Sequence, residues 1–231
     1  ELQPLQPGER ISWNTGLLVA LDPRVSLSML LRDYGRDFQN LYSVAFGEGV
    51  NPWNQQGLYT GLEIRPNRRW SINAFYDTWR TPWLRYQVDA PSNGNDWLGQ
   101  VNWRPQRGTE LYIRVRHRTR PYNTAEYVDR IRNVVDVDQT SYRLNASYKV
   151  SPSVSLRTRV ETMDYQRGGA GLQHGFLIYQ DIVHRPLSSP VELTLRFALF
   201  ETDSYDARIY AFENDLIGVF SIPPYYGRGI R

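Results

Sequence analysis

Apolar and polar side chains alternate with a period of two along most of this chain. Trp13, Thr15, Leu17, Val19 and Leu21 form one face of a first extended run, and Val25, Leu27, Met29 and Leu31 one face of the next. The rhythm returns at Leu58 to Ile64, Trp70 to Tyr76, Trp97 to Trp103, Leu111 to Val115, Tyr142 to Val150, Val154 to Val160, Phe176 to Ile182 and Val191 to Leu199. A last run near Arg208 to Asp215 carries Tyr210 and Phe212, which brings the candidate strands to eleven. Successive side chains of a strand point to opposite faces, so each run has one greasy and one wet side. Most runs are about 8 to 12 residues long, close to the ~9 to 11 that a tilted strand needs to cross a bilayer.

The connections add a second pattern. Pro23, Pro66, Pro105, Pro152 and Pro186 each mark a tight turn, because proline presets the turn and cannot sit in a paired central strand. Between them lie the longer polar segments 35–56, 80–94, 119–139, 166–171 and 203–207. Short and long links thus alternate, which is the layout of an outer-membrane β-barrel with short periplasmic turns and long outer loops. A soluble antiparallel sandwich shows the same alternation of faces, but seldom strands this long with links so ordered. The predicted fold is therefore all-β, an antiparallel up-and-down transmembrane barrel forming one domain over 1–231. Trp13, Trp70, Trp97, Trp103 and Tyr148 are expected as interface aromatics on its lipid side.

Completeness is a further expectation. A first strand running down into Pro23 puts the preceding residues outside, and eleven strands do not make the even number usual in bacterial single-chain barrels. The layout predicts an interior piece of a larger barrel, with the tail from Phe220 to Arg231 opening another up-going strand.

Composition sharpens this picture. The chain has no cysteine, which removes disulfides, thiolate nucleophiles and cysteine metal sites. Its mean hydropathy of -0.55 goes with no apolar run long enough for a membrane-crossing helix. The net charge is only +3, too small to argue for nucleic acid by itself. The 27 basic residues are nonetheless arginines with the single exception of Lys149. Arginine suits planar, two-pronged pairing in confined places, whereas a hydrated surface usually mixes in lysine.

On the wet faces the arginines line up. Arg114, Arg116 and Arg118 lie on one strand, Arg143 and Lys149 on the next, Arg157 and Arg159 on the one after, and Arg196 further on. Such a ladder in a lumen favours anions, a nucleic-acid strand among them. Equally, Glu63, Asp77, Glu161, Glu192 and Glu213 could pair with it in a lattice that stiffens the barrel. His117, His174 and His184 share no edge, and no nucleophile elbow, phosphate loop or metal spacing is present, so neither an enzyme nor a cofactor is expected. Asp203, Asp206, Glu213 and Asp215, or Asp136 with Asp138, read as solvated loop acids rather than a calcium site. Tyr127, Ile131 and Val134 fall at helical spacing, predicting a short lid helix in the loop 119–139. Trp53 and Trp83, each beside a proline, are expected in outer loops as interface anchors.

Three stretches carry a family resemblance: Gly57 to Ser92, Ser151 to Glu161, and Leu193 to Arg231, the last being long and idiosyncratic. They resemble a family of Bacteroidota outer-membrane barrel proteins that carry a helix-hairpin-helix region ahead of the barrel. The resemblance implies an outer-membrane barrel whose relatives extend beyond both ends of this sequence, and it assigns no functional residues. Expected partners are outer-membrane lipid and other outer-membrane or periplasmic proteins. The function expected is a conduit for hydrophilic, anionic solutes or polymers. Its rivals are a non-conducting scaffold subunit and, a distant third, an outer-membrane enzyme.

Overall fold

A computed structural model describes residues 11–39, 45–49, 52–128, 131–186, 190–213 and 221–231. Its long strands are β1 (Trp13–Asp22), β2 (Val25–Tyr34), β3 (Gln55–Asn67), β4 (Trp70–Thr81), β5 (Ser92–Trp103), β6 (Thr109–Val128), β7 (Ile131–Lys149), β8 (Val154–Arg167), β9 (Gln173–His184) and β10 (Leu193–Thr202). Three short ones follow: β11 (Ile209–Tyr210), β12 (Pro224–Tyr225) and β13 (Arg228–Ile230). Strands β1 to β10 join β13 in one sheet in that order, and β11 pairs with β12 apart from it. Each strand of the large sheet lies beside its predecessor, so the topology is up-and-down, and the described residues contain no helix.

Three sequence expectations need correction. The helix expected at Tyr127, Ile131 and Val134 does not form: β6 runs on to Val128 and β7 begins at Ile131, so 119–128 and 131–139 of the expected long link are strand. Three residues at helical spacing were outweighed by strand pairing on either side. The run near Arg208 is not a spanning strand either. Only Ile209–Tyr210 is extended, Asp215 lies outside the described residues, and the partner is the Pro224–Tyr225 segment. In consequence β13 pairs antiparallel with β10 and is a returning strand, opposite in direction to the expected one.

By internal contacts the chain divides into two units. The first comprises Glu1–Ile64, Ala74–Trp97 and Arg118–Val137. In it β2 lies between β1 and β3, with Leu27 opposite both Val19 and Leu62, and Leu31 opposite both Thr15 and Leu58, so the greasy positions form rows on one face. Its other face buries polar groups, among them Arg32, Gln55, Asp77 and Asp96.

The second unit comprises Arg65–Asn73, Leu98–His117 and Asp138–Arg231. Along β9, Gly175, Leu177, Tyr179, Asp181 and Val183 are buried, while Phe176, Ile182 and His184 are exposed. Ile182 faces Leu156 of β8 and Leu195 of β10, and Ile178 faces Val160 and Leu199, so apolar rows run across the exposed face, with the hydrogen-bonded pair Thr158 and Gln180 between them beside Phe197. Leu193, Leu195 and Phe197 each leave more than half of their surface uncovered, at 53, 58 and 56 %. A stacked second sheet would bury these positions, as a sandwich requires. Exposed apolar rows on one face and buried polar groups on the other are the inside-out signature of a strand wall in lipid.

All five expected interface aromatics lie on the apolar face and are exposed, at 38 to 45 %. Trp70 and Trp103 stack with ring centres 5.7 Å apart. Each of three strands repeats an aromatic six residues on from its turn end, as Trp70 to Tyr76, Trp103 to Trp97 and Tyr148 to Tyr142. At the strand rise this spacing is ~20 Å along the strand. Trp83 is exposed and sits under Arg36, 5.1 Å from the guanidinium carbon to the ring centre, in a contact that stands apart from the apolar rows.

Candidate functional site

The wet face is an arginine–carboxylate wall. In the first unit, Arg32 is the most enclosed member, 2 % exposed. Its Nη1 and Nη2 donate to the two oxygens of Asp77 at 2.7 and 3.1 Å, and its Nε donates to Gln55 Oε1 at 2.9 Å. A side chain at position 57 would collide with that guanidinium, so Gly57 is what lets Arg32 lie flat across β3. Arg118 donates through Nε to Asp96 at 3.0 Å. Arg120 pairs with Glu48 at 2.6 Å. Burial pushes the nearby Arg85 guanidinium below its ordinary value, with Glu48 acting in the opposite direction.

In the second unit the ladder converges on two carboxylates. Arg143 grips Glu161 with two prongs, Nε to Oε2 and Nη2 to Oε1, both at 2.9 Å. Arg159, two residues before Glu161 on the same face of β8, donates to the same Oε2. Arg196 grips Asp181 in the same two-pronged way at 2.6 and 2.7 Å, and its guanidinium lies 4.0 Å above the Tyr179 ring. Glu161 and Asp181 are each 3 % exposed. Arg114 differs, because its Nε donates to a neutral acceptor, Gln100 Oε1, at 2.6 Å, beside the Tyr112 ring. Arg116 is half-buried. Arg157 is exposed at the turn end and makes no ion pair among the described residues, although it stands opposite Asp181 in register. The wall of β6 to β10 therefore sets Arg143, Arg159 and Arg196 on the buried Glu161 and Asp181, with Arg114 and Arg157 beside them.

Several expected pairings fall elsewhere. Glu192 binds Arg185 across the β9–β10 turn instead of the ladder, and Glu213 binds Arg231 and accepts from the Tyr225 hydroxyl. In both cases a nearer arginine supplies the partner. Lys149 is exposed at the end of β7, its stem against Gly108, so it is no rung of the ladder. Asp77 is taken by Arg32, and Glu63 is half-buried on β3 opposite Ser26. Asp96 and Asp181 complete the lattice beyond the five acids expected in it. The signal was there in register, since Asp181 stands between Arg157 and Arg196 on neighbouring strands.

Beyond the ladder, His174 contacts Asp164 at 2.8 Å through Nδ1, and its backbone N–H donates to Asp203. His117 contacts Thr140 Oγ1 at 2.9 Å. Asp206 lies 3.8 Å from Arg208, so the loop acids serve separate partners. No group of three or more metal-ligating side chains that could hold an ion occurs among the described residues.

One segment crosses this wall. Residues 207–213 lie on the buried face of β8 to β10, with Ala207, Ile209 and Ala211 each at most 1 % exposed, Ile209 and Ala211 packed with Tyr225 against Leu177, Tyr179 and Ala198, and the Ala207 carbonyl over Gly175. Arg159 Nη2 donates to the carbonyl of Tyr210 at 3.0 Å, and Arg196 Nη1 to that of Phe212 at 2.7 Å. Burial, and the hydrogen bond to Glu213, hold the Tyr225 hydroxyl above the usual phenol range, so it remains a donor.

No protein-family model and no curated protein matches the chain. Solved structures do. The outer membrane channel DcaP of Acinetobacter baumannii aligns with a TM-score of 0.56 at 10 % identity, over 84 % of this chain and 57 % of that one. OmpT, an outer membrane protein of Vibrio cholerae, aligns in its in-vitro folded form with a TM-score of 0.52 at 9 % identity, over 82 % of this chain and 53 % of that one. Its outer-membrane expressed form gives 0.51 at 9 % identity, over 82 and 54 %. The chain thus spans little more than half the length of the structures it matches. Its fold is that of the bacterial outer-membrane β-barrels, and that fold places the exposed apolar rows in the lipid of the outer membrane.

Proposed function

We propose that the chain forms part of the wall of an outer-membrane conduit for hydrophilic, anionic solutes or polymers. The observation that carries this reading is the arginine ladder on the wet face of β6 to β10, where Arg143, Arg159 and Arg196 share the buried Glu161 and Asp181 while Arg114 and Arg157 grip no carboxylate among the described residues. Cations lining a narrow aqueous path between low-dielectric walls concentrate anions and repel cations. One structural neighbour, DcaP, is an outer membrane channel, which agrees with this reading. Membership in the Bacteroidota barrel family is proposed alongside it, on the stretches quoted above.

Arg114 and Arg157 make the reading testable, because neither grips a carboxylate in the lattice. Removing both leaves no buried acid orphaned. Full-length protein in a planar bilayer under a salt gradient should show an anion-favouring reversal potential. Arg114→Ala with Arg157→Ala should keep the conductance and lower the anion-to-cation permeability ratio severalfold. A conducting barrel with unchanged selectivity in the double variant would remove the ladder from the account.

The rival reading, a non-conducting scaffold, is favoured by the density of the lattice, since Arg32, Arg143 and Arg196 are all committed to two-pronged pairs. The same bilayer experiment separates the two. Silence in the bilayer, with other barrels co-purifying stably, selects the scaffold.

A further inference from the structure

The segment across β8 to β10 is built into the wall on both sides of the contact. On the wall, β9 has glycine at position 175, and a Cβ there would be driven into the carbonyl oxygen of Ala207, while standing an ordinary 3.4 Å from Met163 Cβ on its own sheet. Position 175 thus needs to be bare for the segment, not for the strands. On the segment, the residues that touch the wall are small or aliphatic, Ala207, Ile209 and Ala211, and the ones alternating with them, Arg208, Tyr210 and Phe212, turn the other way. Arg208 is held on that outward side by Tyr210 Oη and the carbonyl of Tyr205, both at 2.8 Å. Two ladder arginines then fasten the backbone through carbonyls, one from β8 and one from β10.

These contacts fall on the face opposite the exposed Phe176, Ile182, Leu195 and Phe197, and so on the lumen side. A loop resting loosely against a wall needs none of them. We infer that residues 205–213 with 221–225 are a strap docked inside the lumen, and that it narrows the conduit. The narrowing rests on the conduit reading, whereas the docking does not. The strap also gives Arg159 and Arg196 a second role, since each holds one carboxylate of the wall and one carbonyl of the strap. Ladder residues are therefore partly occupied in fastening, and the path passes on the strap's outward side, along Arg208 and Tyr210.

Single cysteines read the docking directly, since the chain has none of its own. In full-length protein reconstituted in vesicles, Ala211→Cys should react with a membrane-impermeant maleimide at least roughly tenfold more slowly than Asp206→Cys, which lies exposed on the same segment. Adding Gly175→Leu should bring the two rates together and raise single-channel conductance. Gly175→Ala serves where the leucine variant does not fold, because one methyl group already meets the Ala207 carbonyl. Equal labelling of 206 and 211 in the otherwise unaltered protein overturns the docked strap, as does protection that survives both substitutions at 175. Unchanged conductance after the protection is lost overturns the narrowing. Protection that Gly175→Leu abolishes, in a barrel silent in every form, supports the docked strap and rejects the conduit.

Discussion

Glu161→Gln is expected to cost the barrel about 3–5 kcal/mol of stability, the loss typical of removing one partner from a buried ion pair. The residue is 3 % exposed, gripped by Arg143 with two prongs and by Arg159 from the same strand. Glutamine keeps the volume and the hydrogen-bonding reach, so no cavity opens and the effect isolates charge. Without the carboxylate's charge, two guanidiniums are left facing a neutral amide with no anion between them, and Arg114 is close enough to add to the repulsion. An internal comparison comes from Glu110→Gln. Glu110 pairs with Arg104 at 2.8 Å, but the pair is exposed at a turn, with side chains 39 and 55 % accessible. Surface pairs of this kind are worth about 0–1 kcal/mol. Urea unfolding of the full-length protein in lipid vesicles, followed by tryptophan fluorescence and by the gel mobility of the folded barrel, compares the two. Equal, small losses for both would mean that Glu161 is wet and that the lattice does not hold the wall together.

The one-sided choice of base follows from the same geometry. Arg32, Arg143 and Arg196 each present two parallel N–H donors to one carboxylate, and Arg32 and Arg196 have donors left for Gln55 and for the Phe212 carbonyl. A lysine ammonium is a point charge on a flexible stem and cannot make that planar contact. The single lysine, Lys149, stands where no such contact is asked of it, exposed at the end of β7. Composition alone thus announced a confined, paired role for the basic residues before any partner was known.

What was legible in the sequence is what period two encodes. Leu195, Phe197 and Leu199 must share a face, and the aromatics at 70, 103 and 148 must stand near turns. Which medium covers the opposite face is not encoded by the period. Ile209 and Ala211 alternate with Tyr210 and Phe212 as a spanning strand would, yet here the alternation divides a wall from a lumen and not lipid from a lumen. The prolines at 223 and 224 interrupt its pairing, which is confined to Ile209 and Tyr210 opposite Tyr225 and Pro224 and a single bridge between Glu213 and Ser221. Partner choice was hidden for a different reason. Glu192 and Glu213 look like any other acids of the wet face until register and turn geometry bring Arg185 and Arg231 nearer than the ladder. The β6–β7 hairpin shows the reverse case, in which long-range pairing overrode a local helical spacing that three residues happened to satisfy.

The lipid assignment has its own large test at Phe197. This residue sits midway along the exposed row of β10, between Leu195 and Leu199, with 56 % of its surface uncovered. Phe197→Arg should lose about 2–4 kcal/mol, the cost of a guanidinium facing hydrocarbon near the midplane of a barrel wall. Leu193→Arg, at the turn end of the same row, should lose only about 0–1 kcal/mol, because the side chain can reach the interface. Both positions are comparably exposed, so burial in protein cannot produce the difference and depth in lipid can. The control on the other face is Thr194→Arg, adjacent in sequence and pointing to the wet side, which should be tolerated. Folding titrations in vesicles give the three free energies on one scale. A flat profile across 193 and 197 would place the row in water, and the wall of arginines behind it would then have no lumen to line.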